Sequence, residues 1–164
     1  MKPHSRATAS FDHSGWAGIG SGGKDTGGNQ GDYGNITIET TGTVNATGGG
    51  RAPGIGAGCF YRCGTITSGT ITATGGNMGA GIGTGISDSD NNYYSICGSI
   101  SITGGTVTAN KGTAANFDIG KGNIGSLIRD GESDGTVTIA ASVTSSDGKH
   151  YTKGNQDSGY NKED

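Results

Sequence analysis

The sequence predicts an all-β fold, a single right-handed parallel β-helix (β-solenoid) of about four rungs with three short strands in each rung. Two repeated phrases are the first evidence for it. A phrase close to Gly-Thr-Val-Thr-Ala occurs four times, beginning at Gly42, Gly69, Gly105 and Gly135. A Gly-Ile-Gly phrase, whose last copy reads Asp-Ile-Gly, alternates with it and is centred on Ile19, Ile55, Ile82 and Ile119. Repeats of about 30 residues are typical of solenoids, in which each unit buries its apolar face against its neighbours.

Composition is the third observation. Glycine supplies 36 of the 164 residues and only 29% of the residues are hydrophobic, which is too little for a broad globular core but enough for a thin core shared between stacked rungs. The net charge is −3 and the 11 Lys and Arg residues are scattered, which argues against a nucleic-acid partner. No run of about 18 apolar residues occurs, so no membrane insertion is expected.

The Gly-Thr-Val-Thr-Ala phrase predicts a strand, because side chains alternate between the two faces of a strand and these residues alternate between polar and apolar. The inward positions hold Val44, Ile71, Val107 and Val137, followed by Ala46, Ala73, Ala109 and Ile139. The outward positions hold Thr43, Thr70, Thr106 and Thr136, followed by Asn45, Thr72, Thr108 and Thr138. The four copies are therefore expected to stack in register.

Two further elements complete each rung. An earlier strand occupies residues 35–38, 65–67 and 99–102, and the Gly-Ile-Gly phrase is the third element. Its glycines allow a tight corner and a close approach of neighbouring backbones. Strands of successive rungs are expected to pair in parallel about 4.8 Å apart, with the rest of the coil as the crossover, which is right-handed by the usual chirality.

The chain divides into three regions. Residues 1–15 are expected to be an N-terminal lead-in or cap, residues 16–144 the β-helix repeats, and residues 145–164 a polar C-terminal tail that reads as disordered. Phe11 and Trp16 are expected to close the N-terminal end, where an exposed edge would invite aggregation. An extracellular or cell-surface location is expected from the composition, although this chain begins without the apolar stretch of a secretory signal.

A resemblance supports this interpretation. Gly-Ala-Gly-Ile-Gly at 79–83, followed by Cys-Gly-Ser-Ile-Ser-Ile-Thr-Gly-Gly-Thr-Val-Thr-Ala at 97–109, resembles a glycine-rich repeat of large secreted or surface-anchored bacterial proteins. The resemblance covers roughly residues 16–140 and implies a β-helical surface or carbohydrate-binding module with no catalytic residue to carry over. The chain departs from the repeat unit at Tyr33 and Asp134, where the unit has cysteine.

Aromatic residues in the loops that interrupt the repeats are the candidate carbohydrate-binding site. They precede the same strand in consecutive rungs and should gather on one edge of the stack; with a neighbouring arginine they are Tyr33, Phe60, Tyr61, Arg62, Tyr93 and Tyr94. Aromatic faces stack on sugar rings, and nearby polar groups would bond hydroxyls. The alternative is an aromatic ladder that packs against the stack without a ligand.

The outward threonines are an alternative ice-binding face. Thr43, Thr70, Thr72, Thr106, Thr108, Thr136 and Thr138 would form a regular hydroxyl array with about 4.8 Å between rungs and about 6.7 Å along each strand. Ice-binding β-helices of insects present rows of this kind. The alternative is that threonine is simply favoured on exposed β faces.

A metal and a disulfide are candidates with alternatives left open. Asp88, Asp90 and Asn92 resemble the opening of a calcium loop, but the turn glycine and the final Glu of an EF-hand are missing. An acidic turn is therefore the alternative. No cofactor is predicted beyond Ca²⁺. Cys63 and Cys97 occupy equivalent positions in adjacent rungs, within disulfide reach. A Cys59–Cys63 pair and a column of buried thiols are the alternatives.

These observations predict a non-enzymatic module of the cell surface that serves adhesion or binds a glycan. Catalysis has little support, because His4, His13 and His150 lie outside the repeats and the face that carries acidic and basic residues in β-helical polysaccharide lyases and hydrolases carries threonine here. The remaining alternatives are ice binding and end-to-end self-association into a structural filament.

Overall fold

The computed structural model describes residues 6–10, 15–21, 35–58, 64–89, 92–94, 96–123, 133–154 and 159–163. Within these ranges the chain is all-β, and no helix there is able to cross a membrane. The strands are β1 (Arg6–Ser10), β2 (Ile19–Ser21), β3 (Thr37–Ile38), β4 (Thr43–Thr47), β5 (Ile55–Ala57), β6 (Thr65–Ile66), β7 (Thr70–Thr74), β8 (Ile82–Thr84), β9 (Ser87–Ser89), β10 (Asn92–Tyr94), β11 (Ile100–Ile102), β12 (Thr106–Asn110), β13 (Ile119–Gly120), β14 (Val137–Ile139), β15 (Tyr151–Lys153) and β16 (Gly159–Lys162).

Most of these strands belong to three parallel sheets. The first sheet has the order β1-β4-β7-β12, the second β3-β6-β11-β14, and the third β2-β5-β8-β13. Strands β16 and β15 extend the third sheet beyond β13 in antiparallel orientation, and β9 and β10 form a separate antiparallel hairpin. The predicted all-β class and the parallel pairing of repeats are confirmed.

Each repeat contributes one strand to each sheet, always in the same chain order. Strands β3, β4 and β5 enter the second, first and third sheets, and so do β6 to β8 and β11 to β13. Every strand then pairs with its counterpart in the next repeat, as when Ile71 lies between Val44 and Val107. Long crossovers normally join parallel strands; here the other two strands of the repeat make the connection.

The core is a column of inward side chains from the three sheets. The second inward position of the first sheet holds only alanine, and Ala46, Ala73 and Ala109 are all buried. The third sheet contributes Ile55, Ile82 and Ile119, and the second contributes Ile66 and Ile102. Each contributes only a few apolar side chains, so the low hydrophobic content is sufficient because neighbouring repeats cover each other.

The predicted register is wrong for the last Thr-Val-Thr strand. The sequence places it on the first sheet, whereas β14 pairs with β11 on the second, with Ile139 opposite Ile102. The reason is size: the second inward position is alanine in the first sheet and isoleucine in the second, and an isoleucine above fully buried Ala109 would overpack the column. Thr136 and Thr138 therefore do not extend the threonine face of the first sheet.

Glycine at the corner of the third sheet sets how closely the repeats stack. Gly56 and Gly83 lie opposite each other with φ of 136° and 141°, values that L side chains rarely adopt. A Cβ on Gly83 would overlap the carbonyl oxygen of Gly120 in the next repeat. These glycines therefore allow direct backbone-to-backbone contact between repeats.

The two ends of the stack differ. Residues 6–10 of the lead-in form β1, which pairs in parallel with β4, while Phe11 lies outside the described residues and the side chain of Trp16 is 54% exposed. At the other end, the tail expected to be disordered contains strands β15 and β16, which form a hairpin on β13. We call residues 142–163 the C-terminal cap.

Candidate ligand-binding groove

The outward face of the second sheet carries a column of hydroxyl groups. Thr37, Thr65, Ser101 and Thr138 lie in register on β3, β6, β11 and β14. Each alternates with an inward isoleucine, so the strand geometry that buries the isoleucines presents the hydroxyls to solvent. At about 4.8 Å for each step, the column extends roughly 14 Å along the stack.

This column lies in a groove of about 380 Å³. Its lining consists of Asn35, Thr37, Thr65, Ser99, Ile100, Ser101, Thr136 and Thr138. Ser99 and Thr136 are tied together, since the Thr136 backbone N–H donates to the Ser99 hydroxyl at 3.3 Å. We call this feature the second-sheet groove.

The chemistry of the second-sheet groove is neutral and polar. Hydroxyl groups both donate and accept hydrogen bonds and rotate to suit a partner, and Asn35 adds an amide. The lining residues include no titratable side chain. The described lining can therefore bind a hydroxyl-rich ligand, but it offers no group for general acid or base catalysis.

Four of the residues predicted to bind sugar, Tyr33, Phe60, Tyr61 and Arg62, lie outside the described residues. In sequence, Tyr33 comes before β3, and residues 60–62 come before β6. Tyr93 and Tyr94 form part of β10, opposite Asp88 and Ser87 of β9, in the hairpin that precedes β11. The proposed sugar contacts of these six residues remain a prediction.

The groove itself was not predicted as a site from the sequence. The signal was present as a threonine or serine directly before a buried isoleucine, at Thr37, Thr65 and Ser101. The fourth member, Thr138, could not be found this way because its phrase matches the first-sheet strands equally well.

The first sheet presents the predicted threonine array, with one more column than expected. Its columns are Thr43, Thr70 and Thr106; then Thr8, Asn45, Thr72 and Thr108; then Thr47, Thr74 and Asn110. The C-terminal cap occupies the last row, because the Thr108 hydroxyl donates to the Ser146 hydroxyl at 3.0 Å and accepts the Ser146 backbone N–H at 2.9 Å.

The calcium and disulfide predictions remain predictions. Asp88 and Asn92 lie on the β9–β10 hairpin, Asp90 lies outside the described residues, and the described part of the chain holds no group of three His, Cys, Asp or Glu residues that could bind a metal. Cys97 is buried, with its Sγ 3.3 Å from the carbonyl oxygen of Gly98. Cys63 lies outside the described residues.

A buried ion pair supports the end of the second sheet. The Lys121 side chain is 3% exposed, and its ammonium lies 3.3 Å from the Asp134 carboxylate. The other oxygen of that carboxylate accepts the Cys97 backbone N–H at 2.8 Å. Asp134 thereby fixes the segment before β14 to the segment before β11.

Tyr151 of the C-terminal cap satisfies two backbone groups on the outer edge of β12. The Tyr151 hydroxyl accepts the Ala109 N–H and donates to the Val107 carbonyl, both at 2.8 Å. Burial raises the pKa of Tyr151 to about 12. Nearby, a hydrogen bond from the Ser145 hydroxyl lowers the pKa of the exposed Asp147 carboxyl.

Comparisons of this chain with protein-family models, with curated proteins and with solved structures return no significant match.

Proposed function

We propose that the chain is a right-handed parallel β-helix that acts as a non-enzymatic binding module, and that the second-sheet groove binds a carbohydrate chain along the stack. The three sheets, the fixed order in which each repeat enters them and the in-register pairing support a coil of this kind. The right hand follows from the chirality of parallel crossover connections.

The observation that carries the proposed ligand is the hydroxyl-lined groove. A sugar chain presents hydroxyls at short, regular intervals, and the column of Thr37, Thr65, Ser101 and Thr138 offers partners at each rung. A groove of about 380 Å³ has the size of ordinary small-ligand sites. The neutral lining favours a neutral glycan over a charged one.

The aromatic residues that precede β3, β6 and β11 in sequence strengthen the proposal. Tyr93 and Tyr94 lie in the hairpin that leads into β11, and such rings provide the apolar surface that a hydroxyl groove lacks. Together with the resemblance to repeats of secreted bacterial proteins, this supports an extracellular or cell-surface module for adhesion, with a cell-surface polysaccharide as its partner.

A glycan array followed by calorimetry on the bound glycans tests the proposal. Thr65→Tyr places a ring in the middle of the second-sheet groove and should weaken binding by at least about tenfold, equivalent to about 1.4 kcal/mol. Thr72→Tyr places the same ring on the outward face of the first sheet and is the matched control. Absence of any glycan signal, or equal losses in the two variants, would refute the groove as the site.

The threonine columns of the first sheet support ice binding as a second candidate. The specific observation is that three outward columns lie in register over β4, β7 and β12, because a regular array is what a lattice-matching surface requires. Thermal hysteresis tests it with the same two variants in reversed roles. Thr72→Tyr should abolish the activity and Thr65→Tyr should leave it intact; hysteresis unchanged by Thr72→Tyr would exclude this face.

A further inference from the structure

The N-terminal end of the stack presents three strand edges. Strands β1, β2 and β3 are terminal in the first, third and second sheets, and no described strand pairs with their outer edges. In β12 the backbone N–H of Thr106 bonds to the preceding rung and that of Val107 to the following segment. By the same alternation, the N–H of Thr8 in β1 faces the open edge.

The C-terminal cap takes the place of the rung that would follow β12 and β13. The Val107 N–H donates to the Thr144 carbonyl at 2.8 Å, and Tyr151 satisfies Ala109. On the third sheet, β16 pairs with β13, with Tyr160 opposite Ile119. The cap therefore keeps one parallel backbone bridge, between Thr144 and Thr106, and otherwise uses side chains and an antiparallel hairpin where inner rungs use parallel strands.

Asp118 marks the end of the stack. The equivalent residues in the inner rungs are Gly18, Gly54 and Gly81, and a Cβ on Gly81 would lie 2.5 Å from the backbone nitrogen of Asn110 in the next rung. Asp118 carries a Cβ at this position, so a further rung placed as the inner rungs are would overlap it. Its carboxylate instead accepts the backbone N–H groups of Lys111 and Lys162, both at 2.9 Å, and fastens the cap.

The two ends of the chain match each other in strand order. After β14 of the second sheet, a continuing coil needs a strand on the first sheet, where Thr144 of the cap pairs with Thr106, then one on the third, then one on the second. Strands β1, β2 and β3 belong to those sheets in that chain order.

The residues match as well. Ala9 of a second copy would continue the alanine column above Ala109, and Gly20 would lie on Gly120 as Gly83 does. Thr37 would follow Thr138 in the hydroxyl column.

We propose that the N-terminal edge formed by β1, β2 and β3 is an interaction surface for the C-terminal end of a second copy of this chain, and that Asp118 and the C-terminal cap block this head-to-tail stacking. The inference is independent of the proposed ligand. Stacking also continues the second-sheet groove from one copy into the next, because the hydroxyl column is preserved across the junction.

The test uses full-length variants analysed by light scattering and electron microscopy. Asp118→Gly with Tyr151→Phe restores the glycine of the inner rungs and loosens the cap, so we expect a molar mass at least twice that of the wild-type chain and rising with concentration. Asp118→Asn with Tyr151→Phe is the matched control, since it weakens the same cap but keeps the Cβ that blocks the next rung, and it should remain monomeric.

A third variant distinguishes stacking from aggregation. Thr8→Pro removes the edge N–H of β1 without touching its pairing to β4, and its addition to the Asp118→Gly, Tyr151→Phe chain should return a monomer with unchanged circular dichroism. The proposal is overturned if the Asp118→Gly, Tyr151→Phe chain stays monomeric. It is also overturned if the Asp118→Asn control assembles equally, or if Thr8→Pro does not dissolve the assembly.

Discussion

Substitution of Tyr151 by phenylalanine measures how much the C-terminal cap contributes to stability. The hydroxyl satisfies two backbone groups on the edge of β12, the Ala109 N–H and the Val107 carbonyl. A buried backbone group left without a partner costs about 1 to 3 kcal/mol. Because the Tyr151 side chain is partly exposed, water can reach these groups in part, and we expect Tyr151→Phe to lower the free energy of unfolding by about 2 to 4 kcal/mol.

The same substitution should remove a dependence on alkaline pH. The pKa of Tyr151 is raised from 10.0 to about 12 by burial, so the stabilisation is complete below about pH 10 and declines as pH rises toward 12, because the unfolded chain loses its proton first. The difference between the two pKa values corresponds to about 2.7 kcal/mol of stability. Partial exposure of the ring reduces the expected loss of stability to about 1 to 2 kcal/mol.

Urea unfolding followed by circular dichroism, at neutral pH and between pH 10 and 12, provides the measurement. Tyr160→Phe on the neighbouring strand β16 is the control for loss of a tyrosine hydroxyl from the cap. The reasoning fails if Tyr151→Phe lies within about 0.5 kcal/mol of the wild-type chain, the scatter of neutral surface substitutions. It fails equally if the Tyr151 hydroxyl, followed as the difference in tyrosinate absorbance between the wild-type chain and Tyr151→Phe, titrates near pH 10.

Two further substitutions test the stack. Gly83→Ala should lower the free energy of unfolding by about 2 to 6 kcal/mol in thermal or urea unfolding, because it combines positive-φ strain with overlap of the next repeat. Gly148→Ala, with φ of 83° and open space around it, should lower it by only about 1 to 2 kcal/mol. Equal losses would contradict close stacking. Asp134→Ala should cost about 3 to 5 kcal/mol because it leaves the buried Lys121 ammonium and the Cys97 N–H without their partner, and Lys121→Met added to it should recover part of that loss. A second substitution that recovers nothing would show that the ion pair is not the cause.

The regular part of the fold was predictable from the sequence because the repeat dictates it. Alternation of apolar and polar residues set the faces of β4, β7 and β12, and the glycines at Gly56 and Gly83 indicated close backbone approach. The threonine columns followed from the same alternation. These features depend on local spacing, which is visible in one dimension.

The errors occurred where the repeat ends. The phrase around Val137 fits two sheets by pattern alone, and only the size of Ile139 against the alanine column assigns it to the second. The cap was predicted to be disordered because its sequence is polar. The contacts that order it join residues far apart in sequence, as Tyr151 does with Ala109, and leave no local pattern. Asp118 was a visible signal of the end of the repeats, because it occupies a position that is glycine in the other copies of the Gly-Ile-Gly phrase.

The sequence by itself determined the repeat, the strands that compose it and which side of each strand is buried, since a period of two residues assigns faces without reference to any partner. Only the tertiary structure decided which strands become neighbours at the ends of the stack, where the second-sheet groove opens and what covers β12 and β13. Those features depend on side-chain size and on hydrogen bonds between distant residues, such as Asp118 with Lys162. No local pattern encodes such contacts, because they exist only once the chain has folded and brought the residues together.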